Sequence, residues 1–129
     1  MSDIVHILDR GYELIWREHR LEDVLGILDA EFEWHVPDYP EGEVRQGPEA
    51  VIAFFREWGE PFEDMHVEWE IIEAGRARAL AIIDMRGRGR ESGVPVEMRF
   101  AQLWTFEGGR AKRMDFYSDV DEGRAAAGL

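Results

Sequence analysis

The sequence has no cysteine, few basic residues beside its many acids, and no long apolar run. Without cysteine, disulfide bonds, thiolate catalysis and cysteine-ligated zinc are excluded, and a reducing compartment is favoured. Fifteen lysines and arginines stand against 28 aspartates and glutamates, a formal net charge of −13. Such a chain has no basic face for the phosphates of nucleic acids or anionic lipids. No segment is apolar over the roughly 20 residues of a membrane span, and the acidic N-terminal stretch is not a signal peptide. We therefore expect a soluble, cytoplasmic protein that binds neither nucleic acid nor membranes.

Motifs for covalent, metal and nucleotide chemistry are absent as well. No serine lies in a G-x-S-x-G sequence, and the histidines show neither H-x-x-x-H nor H-E-x-x-H spacing. No glycine-rich phosphate loop occurs. We therefore expect neither a metal site nor a cofactor.

What is present suffices for one folded domain. The chain has 129 residues, of which 45% are hydrophobic and 12% aromatic. These fractions are too high for a disordered acidic chain, and a chain of this length buries enough surface to fold unaided. We expect a single domain over residues 1–129.

The first half of the chain has helical periodicity. Apolar residues recur every three or four positions in three segments, which predicts helices over about 4–19, 21–28 and 48–59. Pro48 suits the first turn of the third helix, and Gly59 with Pro61 ends it. Residues 32–36 alternate as a short strand, and residues 37–47 are predicted to be a loop.

After Pro61 the apolar period becomes two. Segments 64–74, 77–90, 94–106 and 111–118 predict strands, and the last residues form a helical turn or a docked tail. This order predicts an α+β fold, with helices packed on one face of a curved antiparallel sheet. A bent sheet closed by helices leaves an internal cavity, a usual place for a small-molecule site.

Several short motifs resemble one family in their order and spacing. They are Tyr12 in the first helix, residues 23–28, FEWHVP at 32–37, GPEAV at 47–51, GRGRESG at 87–93, LWTF at 103–106, GGR at 108–110 and YSD at 117–119. The sequence thereby resembles the SnoaL-like group of the nuclear transport factor 2-like superfamily, which includes ketosteroid isomerase. The resemblance implies a cone-shaped, curved antiparallel sheet wrapped by three N-terminal helices, and a homodimer. It implies little about the reaction, because this fold carries many functions.

The isomerase chemistry of that superfamily uses a carboxylate base together with a tyrosine and a protonated aspartate that donate to an oxyanion. By resemblance the tyrosine corresponds to Tyr12. The base position holds Val36, preceded by His35, and the position of the acidic donor holds Gln102. One of the three groups is therefore present, which implies a cavity containing a phenol and an amide.

Four residues are candidates for catalysis, namely Tyr12, Gln102, Asp84 and His35. The Gln102 amide lies in an otherwise apolar stripe, where it either is satisfied by the backbone or water, or orients a ligand. Asp84 is an acid–base candidate if it faces inward. We favour the outward alternative, in which Asp84 and Arg86 form a surface ion pair. Histidine is a side chain suited to general-base work, but His35 alternates with inward residues, which favours a surface position.

The expected ligand is an apolar, ring-containing small molecule. The residues expected to line its pocket lie on faces predicted to point inward: Tyr12, Trp16, Trp34, Val36, Phe55, Trp58, Met98, Phe100, Gln102, Trp104, Met114 and Phe116. Two hypotheses remain open at this point. One is a proton-transfer isomerase, cyclase or dehydratase acting on a carbonyl compound. The other is a non-catalytic small-molecule-binding or protein-interaction domain on the same scaffold.

Overall fold

A computed structural model describes residues 3–36 and 43–129, apart from the side chains of Glu43 and Trp58. Within these ranges a 3-10 helix spans Leu21–Gly26. The other elements are α1 (Asp3–Trp16), β1 (Leu28–Val36), β2 (Glu43–Gln46), α2 (Pro48–Gly59), β3 (Phe62–Glu73), β4 (Arg78–Gly89), β5 (Pro95–Glu107), β6 (Arg110–Tyr117) and α3 (Val120–Ala127). The predicted α+β class with N-terminal helices and a curved sheet is confirmed.

The six strands form one sheet in the order β2-β1-β6-β5-β4-β3. Strands β3 to β6 are successive antiparallel neighbours, as the period-two segments predicted. The expectation of a wholly antiparallel sheet is wrong at one pair, because β1 and β6 are parallel. These two strands lie far apart in the chain, so no hairpin turn dictates their relative direction.

Three expected boundaries also differ from the structure. The second helix is a single 3-10 segment, closed by short-range bonds such as Ile27 N–H to the Val24 carbonyl at 2.9 Å. Strand β1 begins at Leu28 rather than at residue 32, because Leu28 already pairs with Ala111 of β6. Strand β2 lies in the predicted loop 37–47, since its residues pair with the end of β1. Residues 37–42 of that loop lie outside the described ranges.

The sheet has two distinct faces. The inner face packs against α1 and α2 and carries the larger core, which includes Leu8, Tyr12, Trp34 and Trp104. The outer face is covered in part by α3, whose Ala127 joins Leu80 and Ile82 in a second, smaller core. Residues 79–83 of β4 are therefore buried on both faces.

Helix α3 approaches the outer face closely through a glycine. A Cβ atom added at Gly123 would lie 2.8 Å from the Cβ of Ala101. Any larger residue at this position would push the helix off the sheet. Both parts of the expectation for the C-terminal residues are found, because Val120–Ala127 is a helix and this helix is docked on the sheet.

Candidate functional site

A hydrogen-bonded cluster of three side chains lies on the inner face. The Tyr12 hydroxyl donates to Oε1 of Gln102 at 2.6 Å and accepts from Nε1 of Trp104 at 2.8 Å. All three residues are buried. The cluster joins α1 to β5 and satisfies polar groups whose burial without partners is unfavourable.

The strand register explains why the cluster forms. On β5, Gln102 and Trp104 lie opposite Ala81 and Ala79 of β4. These two alanines and Tyr12 belong to the same core, and their small side chains leave space for the phenol ring. The ring packs edge-on against Trp104, with centroids 6.3 Å apart. The hydroxyl is thereby directed at the β5 residues.

Burial strongly raises the pKa of the Tyr12 hydroxyl, and the hydrogen bond from Trp104 opposes the shift only in part. A charged phenolate is disfavoured here because it would lose its hydration. Tyr12 therefore stays a neutral phenol at any physiological pH. It acts as a hydrogen-bond donor and not as an acid or base.

A second inner-face group is the Trp34 indole, which is 1% exposed. Its ring contacts Phe54 and Phe55 of α2, at centroid distances of 4.5 and 5.8 Å. Its Nε1 atom is buried and has no hydrogen-bond partner in the described part of the chain. A buried, unpaired indole N–H is unfavourable unless a ligand or water accepts from it.

A cleft of about 690 Å³, called here the helix-end cleft, opens where α1, the 3-10 helix, α2 and β3 meet. Its apolar lining comprises Ile15, Trp16, Leu21, Phe55, Phe62 and Met65. The Phe55 ring also contacts Trp34, so the cleft adjoins the aromatic part of the inner core. Its volume lies in the range of ordinary small-molecule sites.

Two arginines that line the helix-end cleft have partners within the protein. Arg56 pairs with Glu22, and Arg90 donates to the carbonyl oxygens of Glu60 and Phe62 at 3.1 and 3.0 Å. His19 also lines the cleft. Its φ angle of +54° is a left-handed conformation that few non-glycine residues adopt.

Two of the four predicted catalytic residues are brought together, namely Tyr12 and Gln102. Of the predicted pocket residues, Trp16 and Phe55 line the helix-end cleft, and the Trp58 side chain lies outside the described residues. The other inner-face members are buried or half-buried in the same core: Trp34, Val36, Met98, Phe100, Trp104, Met114 and Phe116.

Asp84 does not join the cluster, because it lies on the outer face with 52% of its side chain exposed. The outward alternative is the one found. Its ion-pair partner is not the expected Arg86. It is Arg99 on the neighbouring strand, whose Nη1 lies 3.6 Å from Oδ1 of Asp84. The two residues are directly opposite each other in the β4–β5 register, whereas Arg86 is on the same strand.

His35 also lies on the outer face, since its neighbours Trp34 and Val36 point into the core. Its Nε2 lies 2.8 Å from Oε1 of Glu33. This hydrogen bond from the imidazole is the main cause of a lowered pKa of the Glu33 carboxyl. The structure therefore separates His35 from the Tyr12–Gln102–Trp104 cluster by the thickness of the sheet.

Sequence reasoning missed the polar residues of the helix-end cleft. His19 enters the sequence analysis only as the last residue of the predicted helix 4–19, and no pattern singles out Arg56. The cleft forms between the ends of four elements, and no periodicity marks such a junction. The GRGRESG motif at 87–93 contains a partial signal, because its Arg90 lines the cleft, whereas its Arg88 pairs with Asp64.

Within residues 3–36 and 43–129, no three His, Asp or Glu side chains gather in a way that would hold a metal ion. None of the helices described is long and apolar enough to span a membrane.

A family model described as the SnoaL-like domain matches residues 8–114. The chain therefore belongs to the SnoaL-like family, as the sequence motifs indicated. No curated protein matches the chain in sequence.

Solved structures with the same fold cover nearly the whole chain. An NTF2-like protein of unknown function from Burkholderia pseudomallei is 26% identical, with full coverage of both chains and a TM-score of 0.76. TerC, co-crystallised with polyporic acid, is 20% identical over 99% of this chain and 100% of its own, with a TM-score of 0.74. A protein of ketosteroid isomerase-like fold from Catenulispora acidiphila, in complex with trimethylamine, is 16% identical. It covers 100% of this chain and 95% of its own, with a TM-score of 0.70.

Proposed function

We propose that this member of the SnoaL-like family binds an apolar, ring-containing small molecule in the helix-end cleft. The observation that carries the proposal is the cleft itself, with a volume of about 690 Å³ and an aromatic lining that includes Trp16 and Phe55. Similar folds have been crystallised with small molecules. Those molecules differ from each other, so they support binding by the fold and not a particular ligand.

The distribution of polar groups favours binding over proton transfer by the residues that the sequence singled out. Asp84 and His35 lie on the outer face, and Tyr12 stays protonated. None of them can exchange a proton with a ligand in the cleft at neutral pH. Gln102 is a neutral amide that cannot act as a base, and it is not among the residues that line the cleft.

A second candidate function is proton-transfer catalysis on a carbonyl compound, as in an isomerase, cyclase or dehydratase. The observation that favours it is that His19 is among the residues that line the helix-end cleft. An imidazole is the side chain best suited to general acid–base work near neutral pH. Turnover that is lost in His19→Gln while ligand affinity is retained would support this second function.

The proposed function is tested with two glycine substitutions. Gly59 lines the cleft, and a Cβ added there meets no atom within 4 Å. Gly59→Phe should therefore fill the cleft without straining the backbone. Gly26 is equally open but lies outside the cleft lining, so Gly26→Phe is the matched control.

A thermal-shift screen with steroids, polycyclic phenols and aromatic polyketide mimics provides the measurement. A ligand at one hundred times its Kd should raise the Tm by about 5–10 °C in the natural chain and in Gly26→Phe. The shift should disappear in Gly59→Phe. A shift of the same size in Gly59→Phe would contradict the placement of the site.

We also propose that the chain forms a homodimer through the uncovered part of the outer face. This part bears charges of both signs, with Asp84 opposite Arg99 and Arg86 opposite Glu97. A two-fold axis presents such a surface to its own copy, so unlike charges can meet. Light scattering should give twice the chain mass, and the double variant Arg86→Glu/Arg99→Glu should give the monomer. A monomer in the natural chain would contradict the proposal.

A further inference from the structure

The guanidinium group of Arg90 is held at the helix-end cleft by neutral groups of the backbone. Its Nε donates to the carbonyl oxygen of Glu60 at 3.1 Å, and its Nη2 donates to that of Phe62 at 3.0 Å. Phe62 and Arg90 both line the cleft, so the guanidinium lies at the edge of the cleft. Neither bond uses Nη1, whose N–H groups can therefore donate to another acceptor.

The acidic residues of the cleft lining are matched to other arginines. Glu22 pairs with Arg56, and Asp64 pairs with Arg88. Glu63 lies directly opposite Arg88 in the β3–β4 register. The hydrogen bond to Asp64 is the main cause of a raised pKa of the Arg88 guanidinium, and the charge of Glu63 adds to this shift. Arg56 and Arg88 therefore have their charges balanced within the protein.

Arg90 differs from these two arginines, because its partners carry no charge. Within residues 3–36 and 43–129, no carboxylate forms an ion pair with Arg90. A guanidinium presents planar, paired N–H donors that match the two oxygen atoms of a carboxylate. Since the two carbonyl oxygens already hold the side chain of Arg90, it loses little conformational entropy when a ligand binds.

The apolar wall of the same cleft suits a flat ring system. The rings of Trp16 and Phe55 meet at 81°, with their centroids 5.4 Å apart, and they form a corner to which Leu21 adds aliphatic surface. Phe62 connects this wall to Arg90, because it lines the cleft and its carbonyl oxygen holds the guanidinium. The cleft thus offers an aromatic corner and a fixed cation to one ligand.

We infer that the ligand of the helix-end cleft is an aromatic carboxylate, whose rings lie against Trp16 and Phe55 and whose carboxylate accepts hydrogen bonds from Arg90. Arg90 is thereby the residue that determines specificity for the charge of the ligand. The net charge of −13 disfavours anions over the protein as a whole, so the selection depends on this one local cation. The inference rests on the proposed function, because it gives the chemical class of the molecule bound in the cleft.

Three probes with the same ring system test the inference. They are 2-naphthoate, its neutral amide 2-naphthamide and the cation 2-naphthylmethylammonium, and calorimetry at neutral pH measures their Kd values. In the natural chain we expect 2-naphthoate to bind about tenfold more tightly than 2-naphthamide, the value of one hydrogen bond between charged groups. The cation should bind most weakly. Raising the salt concentration should narrow the difference between 2-naphthoate and 2-naphthamide.

Two variants that lose the same charge separate the local contact from the overall charge. Arg90→Gln should weaken the binding of 2-naphthoate about tenfold and leave that of 2-naphthamide nearly unchanged. Arg76→Gln is the matched control and should keep the full preference. Arg76 lies in the turn between β3 and β4, whereas Arg90 follows the other end of this strand pair, where Phe62 is opposite Gly89.

A third variant keeps the charge and removes the guanidinium. Lysine has no planar set of donors, so Arg90→Lys should lower the preference for 2-naphthoate to about threefold. The thermal unfolding transition first shows that each variant is folded. If Arg90→Gln does not fold, Arg90→Lys decides the matter, and an undiminished preference in that variant would overturn the inference.

The outcomes distinguish this inference from the function on which it rests. Equal affinity for the three probes, or tightest binding of the cation, would overturn the inference, and loss of this binding in Gly59→Phe would leave the proposed site standing. A tenfold preference for 2-naphthoate that persists in Arg90→Gln would also overturn the inference. Binding of none of the probes would overturn the inference alone, because the wider thermal-shift screen with Gly59→Phe tests the proposed function.

Discussion

The two faces of strands β4 and β5 hold polar side chains in opposite ways. On the inner face, Gln102 is 2% exposed and its carbonyl oxygen has a defined partner in Tyr12. On the outer face, Asp84 is half exposed and its cation, Arg99, lies 3.6 Å away. Burying an amide is tolerated only with good hydrogen bonds, whereas water satisfies an exposed carboxylate in any orientation. The orientation of a polar side chain is therefore fixed on the inner face, whereas a charged side chain on the outer face can adopt several orientations.

The difference indicates where specificity resides. The proposed ligand in the helix-end cleft would contact Phe55, which is packed against Trp34 of the inner face, so part of its site is already ordered before binding. The proposed second copy would meet exposed charged side chains, such as Asp84 and Arg99, on the outer face. The proposed ligand site therefore draws on the fixed packing beside the inner face, and the proposed dimer contact draws on the exposed charges of the outer face.

The largest expected effect comes from removing an inner-face aromatic residue. Trp104→Ala deletes a buried ring and the donor to Tyr12, and should lower the free energy of unfolding by about 3–5 kcal/mol. Arg99→Ala on the same strand is the outer-face control and should cost less than about 1 kcal/mol. Chemical denaturation measures both. Similar decreases in the free energy of unfolding for the two variants would contradict the difference between the two faces.

The part of the outer face under α3 should behave like the interior. In Gly123→Val the new Cβ atom would lie 2.8 Å from the Cβ of Ala101, which is too close for two carbon atoms. The variant should therefore lower the free energy of unfolding by about 1–3 kcal/mol. Ala101→Gly in the same chain should restore part of the loss by removing the contacting atom. Denaturation of the single and double variants checks this. If Gly123→Val is harmless, α3 is not packed on the sheet as described.

High pH should reveal the burial of Tyr12. In the unfolded chain a tyrosine loses its proton near pH 10, but the raised pKa keeps folded Tyr12 protonated above that pH. Above about pH 10 the folded chain therefore binds one proton more than the unfolded chain. The contribution of Tyr12 to the free energy of unfolding is fully present below that pH and decreases as the pH rises further. The slope should be up to about 1.4 kcal/mol per pH unit from this residue. Tyr12→Phe should lack this contribution, and equal slopes in the two proteins would contradict it.

The smallest effect is expected at Asp84. Asp84→Asn removes a charge from an exposed pair and should change the free energy of unfolding by less than about 0.5 kcal/mol. Raising the salt concentration should shrink even this difference. A loss of several kcal/mol would show that the outer face is more specifically organised than the comparison holds.

Much of the fold follows from local patterns. The apolar stripe of α1 predicted that Tyr12 faces the core, and the alternation along β5 predicted that Gln102 does too. The start of α2 at Pro48 was also predicted, because proline suits the first helical turn. Each of these features is determined by residues within a few positions of each other.

Other features could not be predicted in this way. Residues 79–83 are apolar on both faces of the strand, so the alternation of apolar and polar residues does not predict which face contacts α1. Strand β2 is too short and too polar to stand out from a loop, and it forms only because β1 offers an edge. The helix-end cleft has no local signature because four separate elements bound it.

The sequence by itself determined the class of the fold, the family and the inward direction of Tyr12 and Gln102. These depend on composition and on side-chain periods of two and 3.6, which are local properties. Only the tertiary structure decided that Tyr12 meets Gln102 across 90 positions of the chain, and that Asp84 and His35 lie on the other side of the sheet. The pairing of strands and the packing of helices set these relations, and both depend on contacts between distant segments that no local pattern encodes.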